Sequence, residues 1–596
     1  MTVLAQLQNF IKPFCFIIAF VVFSAICFSQ VKSNSIQINQ SGYYPLAPKI
    51  AVLTETTNNN DFYLLSVDLK DTLFHGKLSD EKQSAYSSTK TRIADFSIFQ
   101  KNGRYIIRIG TLVSYPFVIS NNILSSTAIA SLKAFYFQRA SIPLEENYAG
   151  KWKRSGFHPD NKVIVHASAA SNQRPEGTII SCTGGWYDAG DYNKYIVNSG
   201  ITMGTLFSAY EDFPEYFAML KTNIPETGNG VPDILNEAVY NLRWMLTMQD
   251  PNDGAVYHKC TNAAFDGMVM PGVTKEPRYV VQKTSAAALD FAAVMAQASR
   301  IFLKFKTEFP SLSDSCITAS KKAFDWAKNN SPVFYEQDKM NQSYKPIITT
   351  GAYGDNNIKD EILWAASELY ISTKDPFYFS FISSLRLNPE INLPSWNNVG
   401  MMAVYSLLNK NISVPEMDST LIFSLRNILL KNADRFISNT NSNVFKTVMG
   451  QNKADFNWGS NSNAANQGML LIKAYQLTKD KRYINDALTN MDYLLGRNAT
   501  GYCFITGIGT KSPMFPHHRQ STADEVKEPV PGLMVGGPNP GLQDHCNYPF
   551  TEPETAYVDI SCAYASNEIA INWNAPLVYL SNALIALKKI AGYTIQ

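Results

Sequence analysis

Repeated amphipathic helical stretches, separated by long loops, constrain the fold of this 596-residue chain more than any other sequence feature. Over 233–249, apolar residues recur every three or four positions from Ile234 to Leu246, which is the spacing of one helix face. Comparable stretches lie near 124–140, 195–212, 283–305, 315–329, 359–373, 398–409, 418–437, 463–478, 482–495 and 575–592. Loops longer than about 12–15 residues in a compact domain are usually functional. The pattern predicts a helical toroid whose loops build a cleft at one end.

The segment before these helices reads as strands. Four short β-rich runs, broken by Asn-rich and Asn-Gly turns, lie at 50–54, 62–67, 105–109 and 115–119. That texture is typical of a β-sandwich of immunoglobulin size. We therefore expect a small all-β domain over 35–121, a polar joint at 120–122, and a helical domain over 124–596; a chain of this length is expected to hold at least two domains.

Residues 1–29 read as an export signal. Lys12 is followed by an apolar run over 14–28, which is shorter than the ~20 residues that span a bilayer and resembles the apolar part of a cleaved signal peptide. An uncleaved membrane anchor is the alternative. We expect export, and a protein that is secreted, periplasmic or at the cell surface, with no membrane span after cleavage.

Composition argues against a nucleic-acid partner. The formal charge is +2, only 17% of residues are charged, and no basic stripe is present for phosphate binding. Aromatic residues make up 12% of the chain, which fits a core or a cleft for an uncharged ligand. Apart from Cys15 and Cys27 in the signal, the cysteines are scattered without a Cys-x-x-Cys pair, so spacing assigns no disulfide and buried thiols are favoured.

Two acidic segments far apart in sequence carry the candidate chemistry. Asp188 and Asp191 lie in a loop rich in glycine, which permits a tight backbone path that brings two carboxylates together; such a pair can hold a water and remove its proton. Glu568, nine residues after Asp559, lies among apolar and aromatic residues that would raise its pKa and keep it protonated as a general acid. The alternatives are a turn or calcium loop for the first segment and a capped or salt-bridged helix-start glutamate for the second.

A third segment holds His517, His518 and Arg519 after a glycine-threaded loop. These side chains can donate hydrogen bonds to sugar hydroxyls or to a carboxylate. Adjacent histidines in a loop converge on a metal less readily than histidines four residues apart on a helix. A base-like site and an acid-like site are what hydrolysis of a glycosidic bond needs. The rival Ser-His-Asp hydrolases require a Gly-x-Ser-x-Gly elbow, which this sequence lacks.

These segments, in this order, resemble the motifs of glycoside hydrolase family nine. The resemblance implies that Asp191 is the catalytic base and that Asp188 helps to hold the nucleophilic water. It implies that Glu568 is the general acid and that Asp559 is its active-site companion. One position departs from the family pattern, because Cys503 stands where Ser, Thr or Val is usual.

The resemblance extends over nearly the whole mature chain. His517 and Arg519 fit the other family signature as substrate-binding residues of the active site. Further similar segments lie at 256–259, 283–286, 350–355 and 458–461, and residues 36–43 look like the start of the Ig-like domain of one family branch. The resemblance implies a mainly α fold, an (α/α)6 barrel behind an Ig-like sandwich. It also implies a β-1,4-glucan substrate and inversion, for which base and acid carboxyls stand ~6.5–9.5 Å apart.

Aromatic side chains are the expected sugar platform, because a ring face packs against the apolar face of a pyranose. The candidates are Trp186, Tyr257, Trp458 and Trp573, with His258 as a polar partner. For any one of them, core packing is the alternative.

The segment 354–361 resembles the calcium loop of the family. Asp355, Asp360 and Glu361 supply the hard oxygen ligands that calcium prefers, and Asn397 would complete the site where an acid is usual. Ordinary helix-start acids are the alternative. We expect a structural calcium and no organic cofactor.

Some relatives with the Ig-like domain bind zinc just before the aspartate loop. This chain offers His158 and His166 there, but Ala140 and Phe157 stand where cysteines are expected. A tetrahedral site without its thiolates is not expected to bind zinc, so we predict none.

Three functions remain in view. The main one is an endo-β-1,4-glucanase, a cellulase that acts on internal bonds of cellulose or a related β-glucan, with a polysaccharide or oligosaccharide as partner. An exo-acting β-glucosidase, glucosaminidase or cello-oligosaccharide hydrolase is the alternative, and loops that block the cleft would decide. A non-catalytic carbohydrate-binding protein would be favoured if a carboxylate were missing, but all four acids are present.

Overall fold

A computed structural model describes residues 34–387 and 389–595; the predicted signal over 1–29 lies outside them. The first part is a β-sandwich with strands β1 (Ile36–Gln37), β2 (Ile50–Leu53), β3 (Asp61–Ser66), β4 (Thr72–Lys77), β5 (Lys82–Gln83), β6 (Lys90–Asp95), β7 (Gly103–Ile109), β8 (Leu112–Val113) and β9 (Phe117–Ile119). One antiparallel sheet has the order β1-β2-β6-β5. The other has the order β4-β3-β7-β8, with β9 paired to β7. The predicted sandwich is confirmed.

Alternation explains how the sandwich closes. In β3, Phe62 and Leu64 are fully buried while Tyr63 between them is only partly buried, and they pack with Ile107 and Phe117 between the sheets. Strands β4 and β6 were not predicted, because their residues are mostly polar and partly exposed.

The rest of the chain is helical. The helices are α1 (Ser125–Phe137), α2 (Glu146–Ala149), α3 (Ile196–Asp212), α4 (Pro214–Met219), α5 (Asp233–Thr247), α6 (Ser285–Phe302), α7 (Leu312–Asn329), α8 (Gln337–Ser343), α9 (Lys359–Thr373), α10 (Pro376–Ile382), α11 (Gly400–Leu407), α12 (Ser419–Ile437), α13 (Ser460–Thr478), α14 (Lys481–Leu494), α15 (Arg519–Ala523), α16 (Tyr564–Asn567) and α17 (Ile571–Leu587).

Six of these helices form an inner ring. In chain order they are α3, α6, α9, α11, α13 and α17. Helix α6 packs on α3 and α9, α9 packs on α11, and α17 packs on α13 and closes on α3, while α12 contacts both α11 and α13. Helices α1, α5, α7, α10, α12 and α14 pack outside them. Inner helices such as α3 and α11 are buried along their whole length, whereas an outer helix such as α12 buries one stripe, as amphipathic patterning requires. The predicted (α/α)6 barrel is confirmed; the short α10 is the barrel helix that periodicity did not reveal.

Helix α6 shows why hydropathy alone misleads. Within the described residues, Ser285–Phe305 is the helical stretch long and apolar enough to cross a membrane, and 89% of its apolar window is buried inside the protein. It is an inner wall of the barrel.

A small third sheet lies in the barrel domain. Its strands are β10 (Val163–Val165), β11 (Ile179–Ile180), β12 (Lys194–Tyr195), β13 (Lys259–Asn262) and β14 (Arg278–Val280), in the order β11-β10-β14-β13-β12. Strands this short leave no alternation to read, so the sequence did not predict them. Strand β12 leads into α3, so the sheet fixes the chain just after the aspartate loop.

The sandwich contacts the barrel domain at two places. Asn39 donates to Asp492 at 2.7 Å, deep in the interface. At the second place the turn between β5 and β6 reaches the loop before α13, where the Tyr86 hydroxyl donates to the Gln451 carbonyl at 2.8 Å. Thr91 donates to the carbonyl of Val444 at 3.1 Å.

One disulfide joins Cys546 to Cys562, across 16 residues. The remaining cysteines of the described chain are buried thiols: Cys182, Cys260, Cys316 and Cys503. The expectation of buried thiols therefore fits four of the six, and the pair on one loop is the exception that spacing did not reveal.

Candidate active site

A cleft of about 1130 Å³ opens where the segments that lead into the inner helices converge. Asp191 and Tyr353 precede α3 and α9, Trp396 and Trp458 precede α11 and α13, and Glu568 precedes α17; all five line the cleft. Its volume exceeds the roughly 300–1,000 Å³ of pockets for small ligands. The predicted cleft at one end of the toroid is thus a groove large enough for several linked units.

The loop with Asp188 and Asp191 passes very close to its neighbour. A Cβ on Gly190 would lie 2.1 Å from the carbonyl oxygen of His517, closer than atoms can approach. Only glycine therefore lets the loop reach this position.

The same loop runs beside the segment around Glu568. Ala189 pairs with Ala570 in an antiparallel bridge, and the Ile571 N–H donates to the carbonyl of Asp188 at 2.8 Å. Residues almost 400 positions apart are therefore joined by main-chain hydrogen bonds at the centre of the cleft.

Asp188 is buried among neutral donors. The Asn198 amide donates to both carboxyl oxygens, at 2.9 and 3.0 Å, and the Tyr353 hydroxyl donates at 2.9 Å. Burial, and then the charge of Asp191, raise the pKa of Asp188 to about 8. At neutral pH this carboxyl is therefore mostly protonated.

Asp191 has its own pair of donors. Asn193 donates at 2.5 Å and the Tyr195 hydroxyl at 3.3 Å. Burial raises the pKa of Asp191, and the positive charge of Arg519 opposes that rise. The negative charge of Asp191 is one of the causes that raise the pKa of Asp188, and Arg519 favours the charged form of Asp191, so Asp191 is the member of the pair that ionises first.

Glu568 lies on the opposite strand of this contact. Its main chain is fixed by a bridge to His517 and by the Gly536 N–H, which donates to its carbonyl at 2.8 Å. Burial, and then the charge of Asp191, raise the pKa of Glu568 well above its usual value. An ionised and a protonated carboxyl that line one cleft are the pair required for general acid–base catalysis. We call Asp188, Asp191 and Glu568 the cleft acids.

His517 and Arg519 lie beside this centre without lining the cleft. The His517 Nδ1–H donates to the Ser561 carbonyl at 2.6 Å, and burial lowers the pKa of His517, so its ring is neutral at neutral pH. Arg519 donates to the carbonyls of Gly190 and Asp266, both at 2.9 Å. Its charge lowers the pKa values of both catalytic candidates, Asp191 and Glu568.

Asp559 also lies outside the cleft lining. It accepts hydrogen bonds from the N–H groups of Met514 and Phe515 at 2.8 and 3.0 Å and from Asn567 at 3.1 Å. These contacts tie the segment before His517 to the residue before Glu568. These hydrogen bonds give Asp559 a positioning role.

Two of the four predicted aromatic platforms line the cleft. Trp458 is 42% exposed, and Trp573 is partly buried beside it, packed under Gly459. Both present ring surface to a ligand.

The other two predicted platforms, Trp186 and Tyr257, and the predicted polar partner His258 require correction. Trp186, Tyr257 and His258 are fully buried and do not line the cleft. Trp186 donates to Glu237 at 2.9 Å beneath the aspartate loop, and His258 contacts the carbonyl of Ala352 at 2.8 Å through Nε2. They support the loops that carry the cleft and cannot present a face to a sugar.

The sequence analysis did not identify two tyrosines that hold the aspartates, nor two further aromatic rings that line the cleft. Tyr195 and Tyr353 hold the two aspartates, and their own rings pack edge to face at 4.8 Å; Trp396 and Phe265 add lining surface. Tyr353 has a left-handed φ of 48°, a strained conformation that often marks functional sites. The similar segment 350–355 pointed to this place, but nothing in the sequence linked Tyr353 to Asp188.

Behind the cleft lies a second group of acids, Asp290, Asp355 and Glu361, which we call the closed acids. Both carboxyl oxygens of Asp290 and Glu361, and Oδ2 of Asp355, are buried without a hydrogen-bond partner. Burial raises the pKa of Glu361 to about 12 and that of Asp290 well above its usual value. Unpaired buried carboxyls must hold protons or face a cation.

The predicted calcium ligands are thus only partly together. Asp355 and Glu361 belong to the closed acids, while Asp360 accepts from the N–H of Val399 at 2.8 Å and Asn397 is exposed, accepting from Ser395 at 2.8 Å. Over 34–387 and 389–595, no group of three or more His, Cys, Asp or Glu side chains is arranged to hold a metal ion. The unpartnered oxygens fit a cation, which would need further oxygen ligands.

The two histidines before the aspartate loop, His158 and His166, contact protein groups. His158 lies 2.9 Å from the Tyr187 hydroxyl through Nδ1, and Tyr187 packs with Ala140 and Tyr192. His166 contacts the carbonyl of Pro346 at 3.0 Å. The two histidines are therefore engaged in different surroundings.

Comparison with protein families assigns both parts of the chain. Residues 125–581 match the model described as glycosyl hydrolase family 9, and residues 31–114 match the cellulase N-terminal Ig-like domain.

Among curated proteins, the chain is 46% identical over 561 residues to "Xyloglucan-specific endo-beta-1,4-glucanase BoGH9A" of Bacteroides ovatus, covering 94% of this chain and 95% of that protein. It is 31% identical to "Endoglucanase D" of Acetivibrio thermocellus, covering 92% of this chain and 82% of that protein. Among solved structures, "Bacteroides ovatus GH9" superposes with a TM-score of 0.88 at 45% identity, covering 93% of this chain and 99% of that one. A metagenome-derived family 9 endoglucanase gives a TM-score of 0.84 at 30% identity, covering 92% and 98%.

Proposed function

The chain belongs to glycosyl hydrolase family 9, and from that premise we propose that it is an endo-β-1,4-glucanase that cleaves internal bonds with inversion. One observation carries the proposal: Asp191 and Glu568 line a single cleft on two segments joined by main-chain hydrogen bonds. The two carboxyls differ in protonation, as an inverting pair must.

Asp191 acts as the base. It is the aspartate that ionises first, and it takes a proton from the water that attacks the anomeric carbon. Asp188, protonated and held by Asn198 and Tyr353, positions that water. The two tyrosine hydroxyls and two amides hold the pair without adding charge, so the charge of the base remains available.

Glu568 acts as the acid. Burial keeps its proton at neutral pH, and it delivers that proton to the leaving glycosidic oxygen as the bond breaks. After each turnover the proton taken by Asp191 returns to solvent and Glu568 is reprotonated, so the net reaction is the addition of one water across the bond.

A branched glucan is the substrate we favour. The Bacteroides ovatus relative carries xyloglucan in its name, and the cleft of about 1130 Å³ exceeds the roughly 300–1,000 Å³ of pockets for small ligands. The backbone of xyloglucan is the same β-1,4-glucan, so the chemistry above is unchanged.

Viscosity and stereochemistry test the proposal. On xyloglucan and on carboxymethyl cellulose, a rapid fall in viscosity relative to reducing-end release is expected for internal cleavage. Slow viscosity loss with steady sugar release would instead support the exo-acting alternative. Proton NMR of the first products should show the α-anomer; a first product in the β-anomer would reject inversion.

We also propose a structural cation at the closed acids. Their unpartnered oxygens supply the oxygen ligands that calcium prefers, and Asp290 joins the predicted Asp355 and Glu361. When bound, the ion would neutralise charge behind the loop of Tyr353, which holds Asp188. It takes no part in the chemical step.

Export completes the proposal. The Cys546–Cys562 disulfide is of the kind that persists in an oxidising compartment, which fits the predicted signal. Protease accessibility of the protein on intact cells would test it.

A further inference from the structure

One wall of the cleft differs from the rest in its chemistry. Near the cleft acids the lining is largely aromatic and includes Tyr353, Trp396 and Trp573. Past Trp458 the lining continues to the end of α12, the loop before α13 and the first turn of α13, where amide and charged side chains dominate. We call this part the amide recess and define it by Arg435, Asn439, Gln451, Asn452 and Asn463.

The recess extends below the rim of the cleft. Val448 and Gln467 belong to the same lining although each is only 1% exposed. Arg435, Asn439 and Asn452 are exposed, so the recess combines a buried floor with an open rim that a side group of a ligand can reach.

The recess offers unused hydrogen-bonding groups of both kinds. Within the described residues, neither the Asn439 side chain nor Oε1 of Gln451 has a partner, and the same is true of Oδ1 of Asn463 and Nδ2 of Asn452. Amides present donors and acceptors without charge. Such a set matches a ligand with several hydroxyls and no charge.

The wall is fixed before any ligand arrives. Gln451 donates to the carbonyl of Phe436 at 2.8 Å, and Asp455 accepts three consecutive N–H groups from Gly450 to Asn452, each at 3.1 Å. From the sandwich, the Tyr86 hydroxyl donates to the Gln451 carbonyl. A preorganised wall loses little entropy on binding.

Resting on the proposed function, we infer that the amide recess binds a sugar branch of a substituted β-1,4-glucan, such as the xylosyl groups on the O6 atoms of xyloglucan. The glucan backbone offers apolar faces, which suit the aromatic part of the cleft. A branch projects sideways from that backbone and exposes hydroxyls around its ring, which suit the amides. The recess therefore determines a preference for branched over unbranched chains.

Filling the recess tests this inference. Asn439→Trp places a large ring at its mouth, and Arg435→Ala removes a side chain without adding bulk. Asn441→Trp, in the exposed turn after α12 and outside the lining, is the matched control. For each variant, kcat/KM is measured on xyloglucan and on cellohexaose, and the melting temperature confirms folding.

We expect N439W to lower the ratio of kcat/KM for xyloglucan to that for cellohexaose by about tenfold, within the range for loss of one pocket contact, and R435A to lower it less. N441W should leave the ratio unchanged. An unchanged ratio in both recess variants, or an equal ratio loss in N441W, would overturn the inference.

Activity of the wild-type enzyme on the two substrates tests the branch site and the proposed function separately. Hydrolysis of cellohexaose without hydrolysis of xyloglucan overturns the branch site and leaves the endoglucanase proposal intact. Hydrolysis of neither substrate overturns the proposed function and the inference with it.

Discussion

The cleft acids and the closed acids lie on neighbouring segments of the barrel, yet their surroundings are opposite. Burial raises the pKa values in both groups. The cleft acids line an open groove, and both aspartates accept hydrogen bonds from neutral amides and tyrosines. The closed acids have oxygens with no donor and no access to the groove. A raised pKa therefore does not identify a catalytic acid by itself; access and donors do.

The largest expected effect comes from removing the acid. Glu568→Gln should lower kcat/KM on xyloglucan or cellohexaose by about 10³-fold or more, since general acid–base catalysis contributes roughly 10²–10⁴-fold, while oligosaccharide affinity stays similar. Glu361→Gln, the same change among the closed acids, is the matched control and should act mainly on thermal stability. Equal activity losses in the two variants would contradict the assignment of a catalytic role to the cleft acids alone.

The next largest effect is a difference in lost activity between variants of the two aspartates. Asp191→Asn removes the base and should cost about 10³-fold in kcat, whereas Asp188→Asn replaces a mostly protonated carboxyl and should cost about 10–10²-fold. Steady-state kinetics at pH 6 measure both. A larger loss in D188N would reverse the assignment of base and helper.

The pH profile should shift when Arg519 loses its charge. Activity needs ionised Asp191 and protonated Glu568, so kcat/KM falls as pH drops through the first pKa and as it rises through the second. Arg519 lowers both pKa values. Arg519→Gln should therefore move both limbs to higher pH, by about one unit.

Arg519→Lys is the control for that shift. It keeps the charge but loses the paired contacts to main-chain carbonyls, so its limbs should stay near those of the wild type even if kcat falls. If both limbs of the pH profile moved equally in the two variants, the geometry of Arg519, and not its charge, would determine the two pKa values.

The smallest effect concerns the closed acids and a chelator. If calcium is bound, EDTA should lower the melting temperature by a few degrees, because a ligand at 100 times its Kd contributes about 2.7 kcal/mol. In Glu361→Gln the EDTA response should shrink.

Bound protons, in place of a cation, are the alternative explanation for how the closed acids remain buried without hydrogen-bond partners. Carboxyls with raised pKa values are stabilising below their unfolded pKa of about 4, and that stability is lost as pH rises toward the folded pKa, which for Glu361 is about 12. A melting temperature that falls steadily above pH 4 and ignores EDTA would therefore overturn the cation proposal.

Much of the fold could be predicted from the sequence, because helices and strands follow local patterns of apolar residues. The stripe of α12, predicted over 418–437, is observed at Ser419–Ile437. Helix α10 has only seven residues, too few for a period to show. Strand β4 is exposed on most positions, so no apolar alternation marks it.

The site could be predicted from the sequence only in part, because its most important contacts join residues that are far apart in the chain. The sequence singled out Asp191 and Glu568 through their segments, and the structure brings them into one cleft. It did not link Tyr353 to Asp188, which are 165 residues apart. Nor does an aromatic residue beside an acid reveal which way its ring faces, and Trp186 faces the core.

The hydrogen bond from Tyr86 to the Gln451 carbonyl has a consequence for modularity. One end of the bond belongs to the sandwich and the other to the loop that forms the amide recess. A chimera whose sandwich lacks a hydroxyl at this position would leave the wall of the amide recess without this hydrogen bond. Given the branch site inferred above, loss of this hydrogen bond is expected to weaken the preference for branched chains, so the sandwich would contribute to specificity.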